Sequence, residues 1–223
     1  MNVRPVVLTC QAVTAAGRQQ PRRAARRPRS DGLRSREAIL HEAARLATVE
    51  GIQGLSIARL AEAVGMSKSG LFAHFGSKEE LQLATIETAS AVFAEQVVAP
   101  AAAAPSAIER LRGYCEQFLR HVESRTYPGG CFFASVAAEV DTRPGPVRDR
   151  AIELLDAWLD GLAAAVRDAQ AEGAIDPAED ADQLAFELDA YLLMANLRYV
   201  AQQEGAPMEQ ARRAIERRLA AAG

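Results

Sequence analysis

The sequence predicts an all-α protein of about nine helices, with a small N-terminal unit of three helices and a larger helical body. Apolar residues recur at the three- and four-residue spacing of a helix from Ile39 to Leu219. Serine stands three residues before glutamate at Ser77 and Ser106, which is the capping box that opens a helix. Glycine or proline interrupts the pattern where each stripe ends.

The length and the charge distribution divide the chain into three segments. With 223 residues, the chain suits a compact unit of about fifty residues and a larger body. Residues 1–33 carry a net charge of +6 and lack periodicity, so we expect a disordered basic tail. Residues 34–80 are neutral, and residues 81–223 carry −9. The acidic body should be repelled by a polyanion, which leaves the basic end free to approach one.

The first two helices follow from capping and breaking residues. The stretch REAILHEAARLATVE has an apolar face and stops at Gly51. Ser56 caps a second helix, and Gly65 supplies the open backbone of a sharp turn.

Ser67 caps a third helix of barely two turns, and Gly76 ends it. Three of its side chains are predicted to face inward: Leu71, Phe72 and Phe75. Three are predicted to face outward: Lys68, Ser69 and His74. Gly70 is unfavourable within a helix, which indicates close backbone approach to a partner. Two short helices around a tight turn predict a helix-turn-helix that enters a DNA major groove, and the next helix, opened by Ser77, could receive a phosphate.

This arrangement resembles the N-terminal domain of the tetracycline-repressor (TetR) family of transcriptional regulators, from Arg36 to about Leu83. Twelve residues match the family pattern: Ser56, Ala61, Gly65, Ser67, Leu71, Phe72, His74, Phe75, Ser77, Lys78, Glu80 and Leu81. Family members often carry a phosphate-binding tyrosine at the position of Phe72. Phenylalanine lacks that hydroxyl, which removes a hydrogen bond worth about 1 kcal/mol.

The resemblance and the pattern together predict the DNA-binding residues. They are Ser56, Arg59, Ser67, Lys68, Ser69, Gly70, Phe72, His74 and Lys78. Ser69 and Gly70 are expected at base edges, and Ser56, His74 and Lys78 at phosphates. Arg59 either reaches DNA or pairs with Glu62. The basic tail is a DNA-binding arm, an inert solvated tail, or the result of a start codon placed too far upstream.

Five further helices should follow the fourth, with APAAAAPS near Val98 as the connection to the body. Ser106 opens the fifth, and the sixth runs from about Cys131 to Asp141. The remaining three begin near Pro146, at Asp176-Pro177 and at Pro207.

The eighth helix carries two apolar stripes, which means that two partners must cover it. A second copy of the chain is the expected partner, in a four-helix bundle made with the ninth helix. The predicted homodimer residues are Leu188, Leu192, Ala195, Tyr199, Ala211, Ile215 and Leu219. Two copies would read a pseudo-palindromic double-stranded operator.

By resemblance, a small molecule binds among helices five to eight and moves helix four. The predicted pocket residues are Tyr114, Phe118, Cys131, Phe132, Phe133, Trp158, Phe186, Tyr191, Met194 and Asn196, although residues of this kind at helical spacing also form cores. The function expected is a repressor released by an apolar or aromatic effector. Asn196 could instead bond across the dimer, and Arg198 could pair with Asp189 or Glu187 from a neighbouring face; a structural role is favoured for both.

Other classes of protein have weaker support. No nucleophile elbow, Walker loop, dinucleotide fingerprint or metal-ligand pair is present, so we expect no enzyme, cofactor or metal site. No apolar run could span a membrane and no signal peptide is evident, so a cytoplasmic protein is expected. His41 and His121 should be surface or boundary residues. A helical adaptor and a redox sensor using Cys131 are the alternatives, although a buried small residue is the favoured interpretation of Cys131.

Overall fold

The computed structural model describes residues 28–223, and the side chains of residues 36–223. In this range the chain forms nine helices and no strand, which confirms the all-α prediction. The first three are α1 (Pro28–Glu50), α2 (Ile57–Ala63) and α3 (Lys68–Phe75), which we call the head. The others form the body: α4 (Lys78–Phe93, extended below), α5 (Ala107–Glu123), α6 (Phe132–Val140), α7 (Pro146–Ala171), α8 (Ala181–Gln202) and α9 (Ala206–Ala222).

Residues 1–27 lie outside the described part of the chain. They include Cys10 and most of the predicted basic tail, with its proposed role as a DNA arm. Residues 28–33, which the sequence assigned to the tail, form the beginning of α1. The helix therefore starts earlier than its apolar stripe, which begins at Ile39.

Helix α1 belongs to both halves of the protein because it contributes to two cores. Ile39, Ala43 and Leu46 pack with the buried residues of α2 and α3, whereas Ala44 and Ala47 pack into the body. Its neighbours outside the head are α4 and α6. The head is thus attached to the body through a shared helix and not only through a linker.

Helix α4 is longer than predicted. A π-helical turn, Ala94–Val98, and a further α-helical turn, Ala99–Ala102, continue it without a break in helical backbone angles. Pro100 cannot donate a backbone hydrogen bond and its ring crowds the carbonyl four residues earlier, so a widened turn before it accommodates the ring. The predicted connection APAAAAPS is therefore helical as far as Ala102.

Helix α8 begins four residues later than the predicted Asp176-Pro177 cap. Asp176 forms a tight turn in which its carboxylate accepts the amide of Ala178 at 2.8 Å. Asp180 is the actual cap, and its side chain accepts the amides of Asp182 and Gln183. From there α8 packs between α7 and α9.

Among the helices of residues 28–223, none has the length and apolar composition that crossing a membrane requires.

Candidate nucleic-acid interface and effector cavity

Helix α3 is anchored at its C-terminal half and exposed at its start. Leu71 and Phe75 are buried in the head core. The Ser67 hydroxyl accepts the amide of Gly70 at 3.1 Å, while Lys68 and Ser69 are exposed. A Cβ at Gly70 would lie 3.1 Å from that hydroxyl, so a glycine at this position also leaves room for the Ser67 cap. The first turn of α3 is available to a partner.

Phe72 does not face inward as predicted. Its side chain is 55% exposed, whereas its neighbour Leu71 is fully buried. Two buried positions four residues apart are enough to anchor so short a helix, and they turn Phe72 towards solvent. His74 is half-buried, with its ring 6.1 Å from that of Phe75. Phe72 is therefore a surface aromatic at the predicted DNA-reading helix.

Arg59 pairs mainly with a partner that the sequence did not suggest. Its guanidinium group lies 2.6 Å from Glu50 at the end of α1 and 3.8 Å from Glu62. The predicted Glu62 contact is present but is the weaker one. The Ser56 hydroxyl caps α2 by accepting the Arg59 amide at 3.2 Å.

The start of α4 adds exposed polar groups to the head. Ser77 caps it by accepting the amide of Glu80 at 3.1 Å. Gly76, before it, has a φ of +67°, a conformation that side-chain-bearing residues rarely adopt. The exposed Lys78 ammonium donates to the carbonyl of Gln53 at 2.6 Å. This charge and the free amides of the first turn are suited to bind an anion.

A cavity of about 210 Å³ lies in the body between α4 and α8. Most of its sixteen lining residues are apolar or aromatic: Ser90, Phe93, Ala94, Val98, Tyr114, Phe118, Cys131, Phe133, Ala134, Leu154, Leu155, Ala157, Trp158, Gly161, Asp189 and Leu193. Ala94 and Val98 belong to the π-helical turn of α4. The cavity therefore borders the helix whose first turn carries Lys78, one of the predicted DNA-binding residues.

Five of the ten predicted pocket residues line this cavity: Tyr114, Phe118, Cys131, Phe133 and Trp158. The other five do not. Phe132 and Asn196 are buried elsewhere, Tyr191 packs against the body core, and Phe186 and Met194 are exposed on α8. A helix presents adjacent residues to different neighbours, so aromatic character alone did not identify the lining.

Asn196 has a defined structural contact. Its amide oxygen accepts the backbone amide of Cys131 at 2.8 Å, which fixes the turn before α6 against α8. Gly130 lies so close that a Cβ there would come within 2.2 Å of the same oxygen. Arg198 is exposed, and neither predicted partner binds it within the described residues.

Asp189 is a lining residue that the sequence analysis did not select. Its Oδ1 accepts the indole N–H of Trp158 at 2.8 Å. Burial raises the pKa of the Asp189 carboxyl, and the hydrogen bond from Trp158 opposes that rise. Its position on the buried stripe, one turn after Ala185 and before Leu192, is the signal that could have revealed it.

Neither described cysteine has the properties of a reactive thiol. Burial raises the pKa of Cys131 to about 11, although backbone hydrogen bonds to its sulfur act in the opposite direction. Burial likewise raises the pKa of Cys115 to about 12. Both thiols are protonated at neutral pH, which disfavours the redox-sensor alternative.

His121 is buried, contrary to its prediction as a surface or boundary residue. Its Nδ1 lies 2.7 Å from the amide oxygen of Gln96, in the π-helical turn of α4. Desolvation lowers the pKa of His121 to about 4, so the ring is neutral at physiological pH.

Among the described residues, no cluster of three or more His, Cys, Asp or Glu side chains could hold a metal ion.

The exposed apolar stripe of α8 is not the one predicted for the dimer. Six of the seven predicted residues, all except the half-buried Tyr199, are buried within the chain's own core. Four other residues of α8 are exposed on one helical face: Phe186, Leu193, Met194 and Leu197. Helix α8 has two apolar faces, as the sequence predicted, and the chain itself covers the face that carries the predicted dimer residues.

Comparison with known proteins agrees with both halves of this architecture. The family model described as bacterial regulatory proteins, tetR family, matches residues 39–85. The model of the tetracyclin repressor-like C-terminal domain matches residues 107–215. These matches include the head with the start of α4, and nearly all of the body from α5 onward.

Related proteins are transcriptional regulators. AcuR of Cereibacter sphaeroides, a transcriptional regulator, is 25% identical over 170 residues, which cover 75% of this chain and 77% of AcuR. The HTH-type transcriptional repressor AcnR of Corynebacterium efficiens is 43% identical over 63 residues, covering 28% of this chain and 34% of AcnR.

Solved structures extend the similarity over most of the fold. A TetR transcriptional regulator from Chloroflexus aurantiacus is 28% identical with a TM-score of 0.77, and the match covers 83% of this chain and 94% of that one. AibR, in complex with isovaleryl coenzyme A and operator DNA, is 28% identical with a TM-score of 0.61, over 72% of this chain and 85% of AibR. The chain therefore belongs to the TetR family of DNA-binding transcriptional regulators, which are not enzymes.

Proposed function

We propose that this regulator is a repressor that binds a pseudo-palindromic operator as a homodimer and leaves it when a small apolar or aromatic effector enters the body cavity. The observation that carries this proposal is the position of the cavity. Its wall includes the π-helical turn of α4, and the first turn of the same helix contributes Lys78 to the head. AibR, a similar structure, contains both a small molecule and operator DNA.

The DNA-binding roles proposed for the head follow from exposure and charge. Ser69 and Gly70 in the first turn of α3 would approach base edges. His74, Lys78 and Ser56 would hold phosphates. Of the other candidates, Ser67 shapes the α3 start as its cap, Lys68 adds charge, and Phe72 offers an exposed ring. Arg59 would have to leave Glu50 to reach DNA, so its proposed role is to brace α2 against α1.

A dimer would use the exposed face of α8. Phe186, Met194 and Leu197 are all more than half exposed, and a soluble chain rarely leaves such a cluster uncovered. Covering it with the same face of a second copy would make an isologous contact and set the spacing between two heads. Successive major-groove faces lie about 34 Å apart, so this spacing decides whether both heads bind.

Release requires the effector to prefer a conformer whose heads no longer fit the operator. A tenfold loss of operator affinity needs a tenfold preference of the effector for that conformer. A wider or narrower π-helical turn would shift the two ends of α4 relative to each other. The buried amide of Gln82 on α4 donates to the carbonyl of Ile52 at 2.6 Å, so a shift would reach the head.

The first test is binding of the purified protein to duplexes from the intergenic DNA beside its own gene, measured by fluorescence anisotropy at two salt concentrations. Specific binding should weaken steeply with salt and be lost in His74→Ala. His41→Ala, an exposed histidine on α1, is the matched control and should bind like the wild type. Salt-independent binding, or none, would favour the helical adaptor instead.

The second test concerns release. Trp158 is the only tryptophan of the chain and lines the cavity, so its fluorescence reports occupancy. Small aromatic and aliphatic compounds that quench it should lower operator affinity in the same titration. Compounds that occupy the cavity but leave operator affinity unchanged would overturn the effector role, and compounds that raise it would replace release by corepression.

A further inference from the structure

The cavity wall combines aromatic rings with one acidic group and no basic group. Phe93, Phe118 and Tyr114 surround the indole of Trp158, with ring centroids 5.1–6.2 Å apart. Asp189 is the only ionisable carboxylate among the sixteen lining residues, and none of them is lysine, arginine or histidine. Aromatic faces and a carboxylate both attract positive charge, and neither favours an anion.

Among the side chains of residues 36–223, none forms an ion pair with the carboxylate of Asp189. Trp158 donates to Oδ1, and no group in residues 36–223 donates a hydrogen bond to Oδ2. Two residues earlier on the same helix, Glu187 pairs with Arg218, which also holds Glu179 at 2.6 Å. Glu187, on one side of α8, therefore pairs with an arginine, whereas Asp189, at the cavity, pairs with none in residues 36–223.

A purely structural role would not require a charge at this position. Holding the indole N–H of Trp158 needs one acceptor oxygen, which a neutral asparagine also offers. A buried, unpaired carboxylate is costly because it loses its hydration, and burial accordingly raises the pKa of Asp189. Besides burial, the charge of Asp189 contributes to the raised pKa of Cys115 and of Cys131. A cationic ligand would neutralise this region.

Building on the proposed effector role of the cavity, we propose that the effector is an organic cation: an apolar or aromatic body bearing an amine, with the body among the aromatic rings and the ammonium group on Asp189. A volume of about 210 Å³ accommodates one ring with a short chain, because a cavity of about 150 Å³ already holds benzene. The primary ammonium group would donate to the free Oδ2, while Trp158 keeps Oδ1.

The test compares 2-phenylethylammonium with propylbenzene, its uncharged analogue of similar shape, by titration of Trp158 fluorescence. The decisive quantity is the ratio of the two affinities in wild type and in Asp189→Asn, which keeps the acceptor for Trp158. Removing the charge should lower the cation-to-hydrocarbon ratio at least about tenfold. Asp156→Asn, an exposed carboxylate on the same helix as Trp158, is the control for long-range charge and should leave the ratio within about twofold.

Asp189→Glu keeps the charge and should retain most of the cation preference, which guards against a general defect of Asp189→Asn. An equal ratio in wild type and Asp189→Asn would overturn the cation assignment, as would tighter binding of phenylacetate than of 2-phenylethylammonium. Absence of quenching by the ammonium compound would do the same. If propylbenzene still binds and releases operator DNA, the cation assignment alone has failed; if occupancy never affects DNA, the effector role has failed.

Discussion

Glu139 on α6 connects the body directly to the backbone of the head. Its Oε2 accepts the amide of Ile52 at 2.6 Å, and its Oε1 accepts the amide of Gln53 at 2.9 Å. The carbonyls of the same two residues accept from Gln82 and Lys78 of α4. The turn after α1 is thus held from one side by α6 and from the other by α4.

The substitution Glu139→Gln should loosen this attachment by a calculable amount. Glutamine has one acceptor oxygen, and its NH₂ group would face the second backbone N–H, so one of the two hydrogen bonds is lost. Hydrogen bonds to charged groups contribute about 1.5–3 kcal/mol each. At about 1.4 kcal/mol per factor of ten, the opening equilibrium of the turn should rise about 10–150-fold.

Amide hydrogen exchange measured by NMR tests this magnitude at the two donors. Exchange at Ile52 and Gln53 should accelerate by that factor in Glu139→Gln, while amides in the centre of α8 change little. Glu153→Gln is the matched control, because Glu153 makes only an exposed ion pair with Arg150 at 2.8 Å. Unchanged exchange at both amides, or equal acceleration in the control, would refute the assignment of Glu139 as a link between body and head.

Four further predictions concern the DNA-binding head, the dimer face and two buried groups. Lys78→Ala should weaken binding to all duplexes alike and lower the slope of log affinity against log salt concentration by about one. Ser69→Ala should instead change the preference between operator variants. Equal losses of affinity on every duplex in Ser69→Ala would contradict the assignment of Ser69 to base contacts. Leu197→Glu should convert the dimer into a monomer in analytical ultracentrifugation, and an unchanged mass would place the interface elsewhere. Cys131 should resist alkylation at pH 7.5 in the folded protein, because burial raises its pKa to about 11; rapid modification in peptide mapping would restore the redox alternative. The free energy of unfolding should fall as the pH drops from 6.5 towards 4, because His121 binds a proton in the unfolded state but, with a pKa of about 4, stays neutral when buried. The substitution His121→Gln should reduce this pH dependence. An identical pH profile in wild type and His121→Gln would exclude the effect.

The head could be predicted closely because its signals are local. Ser67 and Ser77 each accept an amide three residues later, and such a cap depends only on neighbours in sequence. Phe72 was assigned wrongly because a helix of two turns offers too few positions for periodicity to distinguish a buried face from an exposed one.

The face of α8 that stays exposed could be predicted only as one of two possibilities. Periodicity shows that α8 is apolar on two sides, but it does not show which side the same chain covers. That depends on the packing of α7 and α9, which is a property of the whole fold. Leu192 and Leu197 are equally apolar in sequence, yet the first is fully buried and the second is 61% exposed.

Five of the ten predicted pocket residues line the cavity, and its charged residue, Asp189, was not among those predicted. The lining, like the exposed face of α8, depends on how the helices pack. Large aromatic residues are a reasonable first choice for a pocket, but a cavity forms where helices diverge, and small residues such as Ala134 and Gly161 line that space equally well. The sequence suggested Asp189 as a partner for Arg198 from a neighbouring face, with Glu187 as the alternative. In the fold the carboxylate of Asp189 faces Trp158 on α7.

The contacts of α6 predict that occupancy of the cavity is transmitted by two helices and not by α4 alone. Cys131 and Phe133, at the start of α6, line the cavity, and Glu139, two turns later, holds the turn after α1. A short helix packed at both ends moves as a unit, so a ligand that displaces Phe133 would also displace Glu139. If so, Glu139→Gln should bind 2-phenylethylammonium and operator DNA separately yet show reduced release, whereas unimpaired release would leave α4 as the sole route.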